Sequence, residues 1–212
     1  MIKINLFINH YQCGDKARQK ELDFCLKTNR ESGYFNEVIN FQGRVTYNDF
    51  FKECANYPDD INIFANTDIY FNETINLVRE IKDNECYCIT RWEEDGNNIV
   101  RFKDKHGYNK GAKEKFSQDV WVIKGKAKYV HGAFHLGVPG CDNRICHEFI
   151  MAKYIVSNPC EKIQCIHRHK DPVHNYNMPS GYSGKRVPMP YRFIEPGDEM
   201  TNLTTKRRRS VR

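Results

Sequence analysis

Short apolar runs alternate with amphipathic stretches along the first eighty residues, and this rhythm predicts the elements. Ile2 to Asn9 (IKINLFIN) is apolar enough for a central strand. Lys16 to Thr28 follows as a helix with Leu22, Cys25 and Leu26 on one face, ended by Ser32-Gly33. Phe35 to Phe41 reads as a second strand. Thr46 then opens a helix in which Tyr47, Phe50, Phe51 and Cys54 share a face, Asp49 stands three residues after the cap, and Pro58 lies beyond the end. Ile61 to Phe71 reads as a third strand interrupted by a polar step, Asn66-Thr67-Asp68. A third helix is expected over Glu73 to Lys82, capped by Asn72, with Ile75, Val78 and Ile81 inward. Alternation of this kind predicts an α/β domain with a mainly parallel sheet flanked by helices.

Past Asp83-Asn84 the pattern turns antiparallel. Cys86 to Trp92 reads as a strand, a hairpin turn lies within 93–98, and Ile99 to Phe102 returns. Lys103 to Lys115 has almost no apolar residue and is expected to be a mobile loop, with ordering over a bound ligand as a hypothesis. Val120 to Gly125 is another buried strand. A Gly/Pro loop then delivers Asp142 as N-cap to a helix with Ile145 and Phe149 inward. Finally, His167 and His169 alternate onto one face of a strand-like segment, Cys160 to Lys170.

Composition changes this picture little. The 212 residues suit one α/β domain, taken as 1–200, and the +6 charge belongs largely to a basic tail. Lys206, Arg207, Arg208, Arg209 and Arg212 carry it, so 201–212 reads as a tail or a linker to a following domain rather than a nucleic-acid arm. Nine cysteines are scattered without zinc-type pairs, and two of them, Cys86 and Cys88, look like small buried hydrophobes. No apolar run is long enough to cross a membrane, and Met1-Ile2-Lys3-Ile4 opens into a strand instead of a signal peptide. A soluble, reduced, cytoplasmic protein is expected.

The candidate chemistry sits in the polar steps. Asp68 follows a buried strand in an α/β sheet, where ligands bind, and two roles fit it. It caps a turn, or with Asn66 it presents oxygens to a divalent cation carrying phosphates. Asn9 and His10 close the first strand, where they meet either a ligand or loop backbone. Arg44 stands just beyond the second strand, either solvated or on a phosphate. Two same-face histidines, His167 and His169, suit a metal or a diphosphate as well as solvent-exposed pairing. For Asp142, a cap carboxylate would accept N–H bonds that lower its pKa and leave it ionised and aimed outward.

Taken in order, ANTDIYF, SQDVWVIKG, LGVPGCDNRICHEF and NPCEKIQCIHRH resemble the GT-A class of nucleotide-sugar-dependent glycosyltransferases from Ile2 to about His169. Within that class the likeness is to domains of chlorella viruses implicated in glycosylating the major capsid protein. The resemblance implies a Rossmann-like GT-A domain, a Mn²⁺ or Mg²⁺ cofactor, a UDP-linked hexose or deoxyhexose donor, and a glycan or glycoprotein acceptor such as a viral capsid glycan. Asp68 matches the metal-binding carboxylate of the Asp-x-Asp motif, whose first position is here Asn66. His167 or His169 matches the later metal ligand, Asp142 the acceptor-side carboxylate, and Asn9, His10 and Arg44 the nucleotide-holding strand ends. Two rival functions fit the residues: a metal-dependent phosphoesterase or nuclease built from Asp68, Asp119 and the histidines, and a nucleic-acid-binding module acting through the basic tail.

Overall fold

The computed structural model describes residues 2–102, 117–138 and 140–170. The polar loop over 103–115 and the basic tail, on which two of the expectations fall, lie outside the described residues.

In the larger sheet five strands run one way and a sixth runs against them. β1 (Ile4–Ile8) pairs in parallel with β2 (Glu37–Asn40) and with β3 (Ile61–Ala65). β5 (Glu85–Thr90) pairs in parallel with β9 (Ile155–Ser157), and β8 (Gln118–Lys124) lies antiparallel between β3 and β5. The order across the sheet is β2-β1-β3-β8-β5-β9. The domain is therefore mixed α/β with a mainly parallel sheet, as the alternation predicts.

Two layers cover this sheet, and the period-2 pattern decides which residue faces which. Phe7, Phe64, Cys86, Cys88, Trp121 and Ile123 face a core shared with α2 (Tyr47–Cys54) and α3 (Cys141–Met151). Their strand neighbours Leu6, Ile63, Ile89 and Val122 face the other core, which holds Ile75, Val78 and Cys165. Trp121 is fully buried and meets Tyr47 edge to face at 5.2 Å. Each such aromatic contributes about 2–3 kcal/mol of burial, so the strands are fixed in register by both faces at once.

The helices start where capping chemistry directs. α1 (Lys16–Glu31) begins at Asp15, whose carboxylate accepts from the Arg18 N–H at 2.8 Å. Thr46 and Asp49 form the expected capping box on α2. The segment expected as a third α-helix is a 3-10 helix, Glu73–Glu80, capped by Asn72. Ile75, Val78 and Ile81 recur every three residues, which is the 3-10 period and not the 3.6 of an α-helix.

Two expected strands are each divided between sheets. Ile61 to Phe71 breaks at the polar step into β3 and β4 (Ile69–Phe71), and Cys86 to Trp92 breaks at Arg91 into β5 and β6 (Trp92–Asp95). β4 and β6 belong to a smaller sheet that β7 (Asn98–Arg101) and β10 (Cys165–His167) complete, in the order β4-β10-β6-β7. β6 and β7 form the anticipated hairpin, turning at Gly96 with φ +60°. No helix among the described residues is long and apolar enough to cross a membrane.

Candidate functional site

Because β8 runs against its neighbours, its amino end lies beside the carboxyl ends of β3 and β5, and the polar steps converge on this one edge. Asn66 N–H donates to the Asp119 carbonyl at 3.0 Å, and the Asn66 amide donates to the Asp119 carboxylate. The Thr67 hydroxyl donates to the Asn9 carbonyl at 2.8 Å, which ties the β3 step to the end of β1. Asp68 then leads into β4, where Arg168 N–H donates to its carbonyl at 2.9 Å. That antiparallel β4–β10 pairing is what brings His167, about a hundred positions later, against Asp68.

Asp68, His167 and His169 converge so that one ligand atom from each lies within 4.8 Å of the others. His167 is held from both sides, Nε2 lying 3.1 Å from Asp68 Oδ2 and Nδ1 3.1 Å from Glu93 Oε2. Glu93 is the register partner of His167 across the parallel β6–β10 pair, so both side chains leave the same face. The Arg18 guanidinium pairs with Asp68 and, at 2.8 Å, with Glu21. Arg91 continues the chain, with Nε 2.6 Å from Glu93 and NH1 3.0 Å from Asp119.

This order of charges sets the protonation states. Burial acts to raise the Asp68 pKa, but His167 and Arg18 outweigh it and hold the carboxyl well below its usual range. Glu93 is held down in the same way against burial, by His167 and Arg91. For His167, burial acts downward while Asp68 and Glu93 act upward, and the imidazole reaches about 9. His169 goes the other way: burial, Arg18 and His167 all lower it, leaving a neutral imidazole at physiological pH.

Asp142 departs from expectation. The N-cap of α3 is Gly140, at φ +85°, and Asp142 occupies the second helical position. The backbone N–H groups of Asn143 and of Asp142 itself do act on its carboxyl and lower its pKa. Burial and the nearby negative Asp119 outweigh them, and the group is raised to about 7. A cap at the helix mouth would be solvated and ionised, whereas two positions further in it is half-buried and near a second acid, Asp119.

Asn9, His10 and Arg44, expected to hold a nucleotide, lie on the same edge in different roles. The Asn9 amide donates to the Phe41 and Gly43 carbonyls at 3.1 and 2.7 Å, so it shapes the loop that carries the exposed Arg44. His10 pairs with Asp23 of α1 at 2.8 Å. Asn66 uses its amide on Asp119, leaving Asp68 and the two histidines as the convergent donors.

Arg18, Glu21 and Arg91 join the site without having been expected there, and Glu93 joins it as a partner of His167. Arg18 did leave a signal, since it shares the spacing of Glu21, Leu22 and Cys25 on the buried face of α1. An arginine on such a stripe needs a buried anion. Comparison with protein-family models and with curated proteins finds no match to this chain. The donor set, one carboxylate and two imidazoles, fits a divalent ion, with the His167 proton leaving as Nε2 becomes a ligand.

Proposed function

We propose that the chain is a metal-dependent glycosyltransferase of the GT-A type that moves a hexose or deoxyhexose from a UDP-linked sugar to a glycan or glycoprotein acceptor, such as a viral capsid glycan. The observation that carries this reading is one sheet edge holding both a three-donor cation group, Asp68, His167 and His169, and a carboxyl raised to about 7, Asp142. These are the two demands of sugar transfer from a diphosphate: charge stabilisation at the leaving group and proton removal at the acceptor.

A divalent ion held by Asp68, His167 and His169 would stabilise the negative charge that develops on the departing diphosphate. Two imidazoles among three donors favour Mn²⁺ over Mg²⁺, which prefers oxygen ligands. Asn9 fixes the Gly43 loop so that Arg44 can meet phosphate from the rim of β2. Asp142 takes the proton of the acceptor hydroxyl if the reaction inverts the anomeric centre, and orients that hydroxyl if it retains it.

The test is a thermal-shift screen of UDP-sugars with and without Mn²⁺, followed by a transfer assay on free glycans. A donor that raises the melting temperature only with Mn²⁺ supports the reading, because only ligands of the folded state stabilise it. Absence of any Mn²⁺-dependent shift across the donor panel would count against it. Hydrolysis of the donor that no acceptor accelerates would move the assignment to a phosphoesterase.

A further inference from the structure

Carboxylates and cations alternate through the interior of the site, and one carboxylate stands directly behind a candidate metal-binding histidine. Glu93 is 2 % exposed, and its two oxygens face His167 Nδ1 at 3.1 and 3.2 Å. Arg91 Nε lies 2.6 Å from Glu93 Oε1 and fixes the carboxylate from the other side. With its oxygens committed to these two donors, Glu93 is not placed to coordinate an ion itself. It can instead decide which imidazole nitrogen does.

We infer that Glu93, braced by Arg91, is a positioning residue for metal binding: it keeps the His167 proton on Nδ1 and presents Nε2 to the Asp68–His169 side. The inference rests on the metal reading of that site. His167 Nε2 already faces Asp68 at 3.1 Å, so a Nδ1–H directed at Glu93 leaves Nε2 with the lone pair a cation needs. A rotated ring would present Nδ1 to the ion and turn Nε2 toward Glu93. The 70° tilt between the His167 and His169 rings, at 5.4 Å between centroids, keeps the two imidazoles from stacking. Carboxylates behind a metal-bound histidine typically carry about 10–100-fold in affinity, although they never touch the ion.

The experiment uses the whole chain and bare ions. Mn²⁺ uptake is followed by loss of the free-ion EPR signal, and Zn²⁺ uptake by calorimetry, for the parent, E93Q and E85Q. Glu85 is a matched control, since it is also buried in a strand but accepts from Lys82 N–H at the opposite end of β5. E93Q is expected to bind either ion about 10–100-fold more weakly, with E85Q unchanged. An E93Q protein that binds as tightly as the parent overturns the role of Glu93 and leaves the metal reading standing. A parent that takes up neither ion overturns the metal reading, and this inference with it. If E93Q does not fold, nitrogen-15 histidine spectra of the Zn²⁺-loaded parent decide the matter: Nδ1 protonated and Nε2 bound is the expected result, and ligation through Nδ1 overturns it.

Discussion

Asp142 offers a perturbation whose two consequences have opposite signs. Its carboxyl is raised from 3.8 to about 7 by burial and by Asp119, so the folded protein holds this proton more tightly than the unfolded chain does. Stability from this group is therefore full below about pH 4, declines as pH rises from there to about 7, and stays low above that. A difference of this size between folded and unfolded chains is equivalent to about 4 kcal/mol. Solvent reaching this part-exposed residue screens the effect to about 2 kcal/mol. Asp142→Asn mimics the protonated side chain at every pH and keeps an oxygen beside the backbone N–H groups of the helix start. It should match the parent near about pH 3 and exceed it by about 2 kcal/mol at about pH 8, equivalent to about 4–8 °C in melting temperature. Urea unfolding at both pH values, read as a change in midpoint at constant m, measures this directly. In the same protein, sugar transfer should slow about 100-fold or more, while Mn²⁺-dependent donor binding survives. A stability difference that is the same at both pH values would refute the half-buried, proton-holding description of Asp142. Transfer at the parental rate would refute its role in the reaction.

The ion network yields further expectations. Asp68→Asn should cost about 3 kcal/mol, because Arg18 and His167 lose their anion inside the protein, and should remove Mn²⁺-dependent stabilisation. A double-mutant cycle of Asp68→Asn with Arg18→Met should show about 1–3 kcal/mol of coupling, and simple additivity would dissolve the pair. His167 is raised from 6.5 to about 9 in the folded protein, so the metal-free chain should keep its full contribution below pH 6.5 and lose it as pH climbs through 9. His167→Gln should flatten that part of the stability profile, which calorimetric scans at stepped pH would detect. All nine cysteines are free and all but Cys13 are buried, so thiol titration of unreduced, denatured protein should return nine groups.

The sheet was legible because its determinants are local. Ile61–Ala65 and the Val120 to Ile123 run are buried on consecutive residues, as strands covered on both faces must be, and Thr46 with Asp49 announces a helix start within a single turn. What local pattern does not encode is the division of a continuous apolar run between two sheets. The polar step at 66–68 and Arg91 are each short enough to pass within a strand. They become breaks only because β10, about a hundred residues after β3, supplies a pairing partner for β4 and for β6.

The site divides along the same line. Asp68, Asp142, His167 and His169 could be singled out because each stands in an informative local setting, but their chemistry depends on neighbours far away in sequence. Asp142 is the instructive case, since its helix start taken alone gives the wrong direction of shift. Backbone N–H groups do lower its pKa, yet burial and Asp119 act more strongly and in the other direction. Asp68 and Glu93 also resist ionisation through burial, but each has two adjacent cations, Arg18 and His167 for one, Arg91 and His167 for the other. Cations therefore sort the carboxylates of one sheet edge into two kinds. Those beside them remain anionic across the working range and can hold positive charge or a histidine, but are too weak to take a proton. The one beside another acid titrates near neutrality, where proton transfer is most effective. Arg91 already acts on Asp142 in the lowering direction but is outweighed there; a substitution that moved a cation closer would lower its pKa and merge the two kinds, so the pairing of Arg18 with Asp68 and of Arg91 with Glu93 and Asp119 is as much a part of the proposed acid–base chemistry as Asp142 itself.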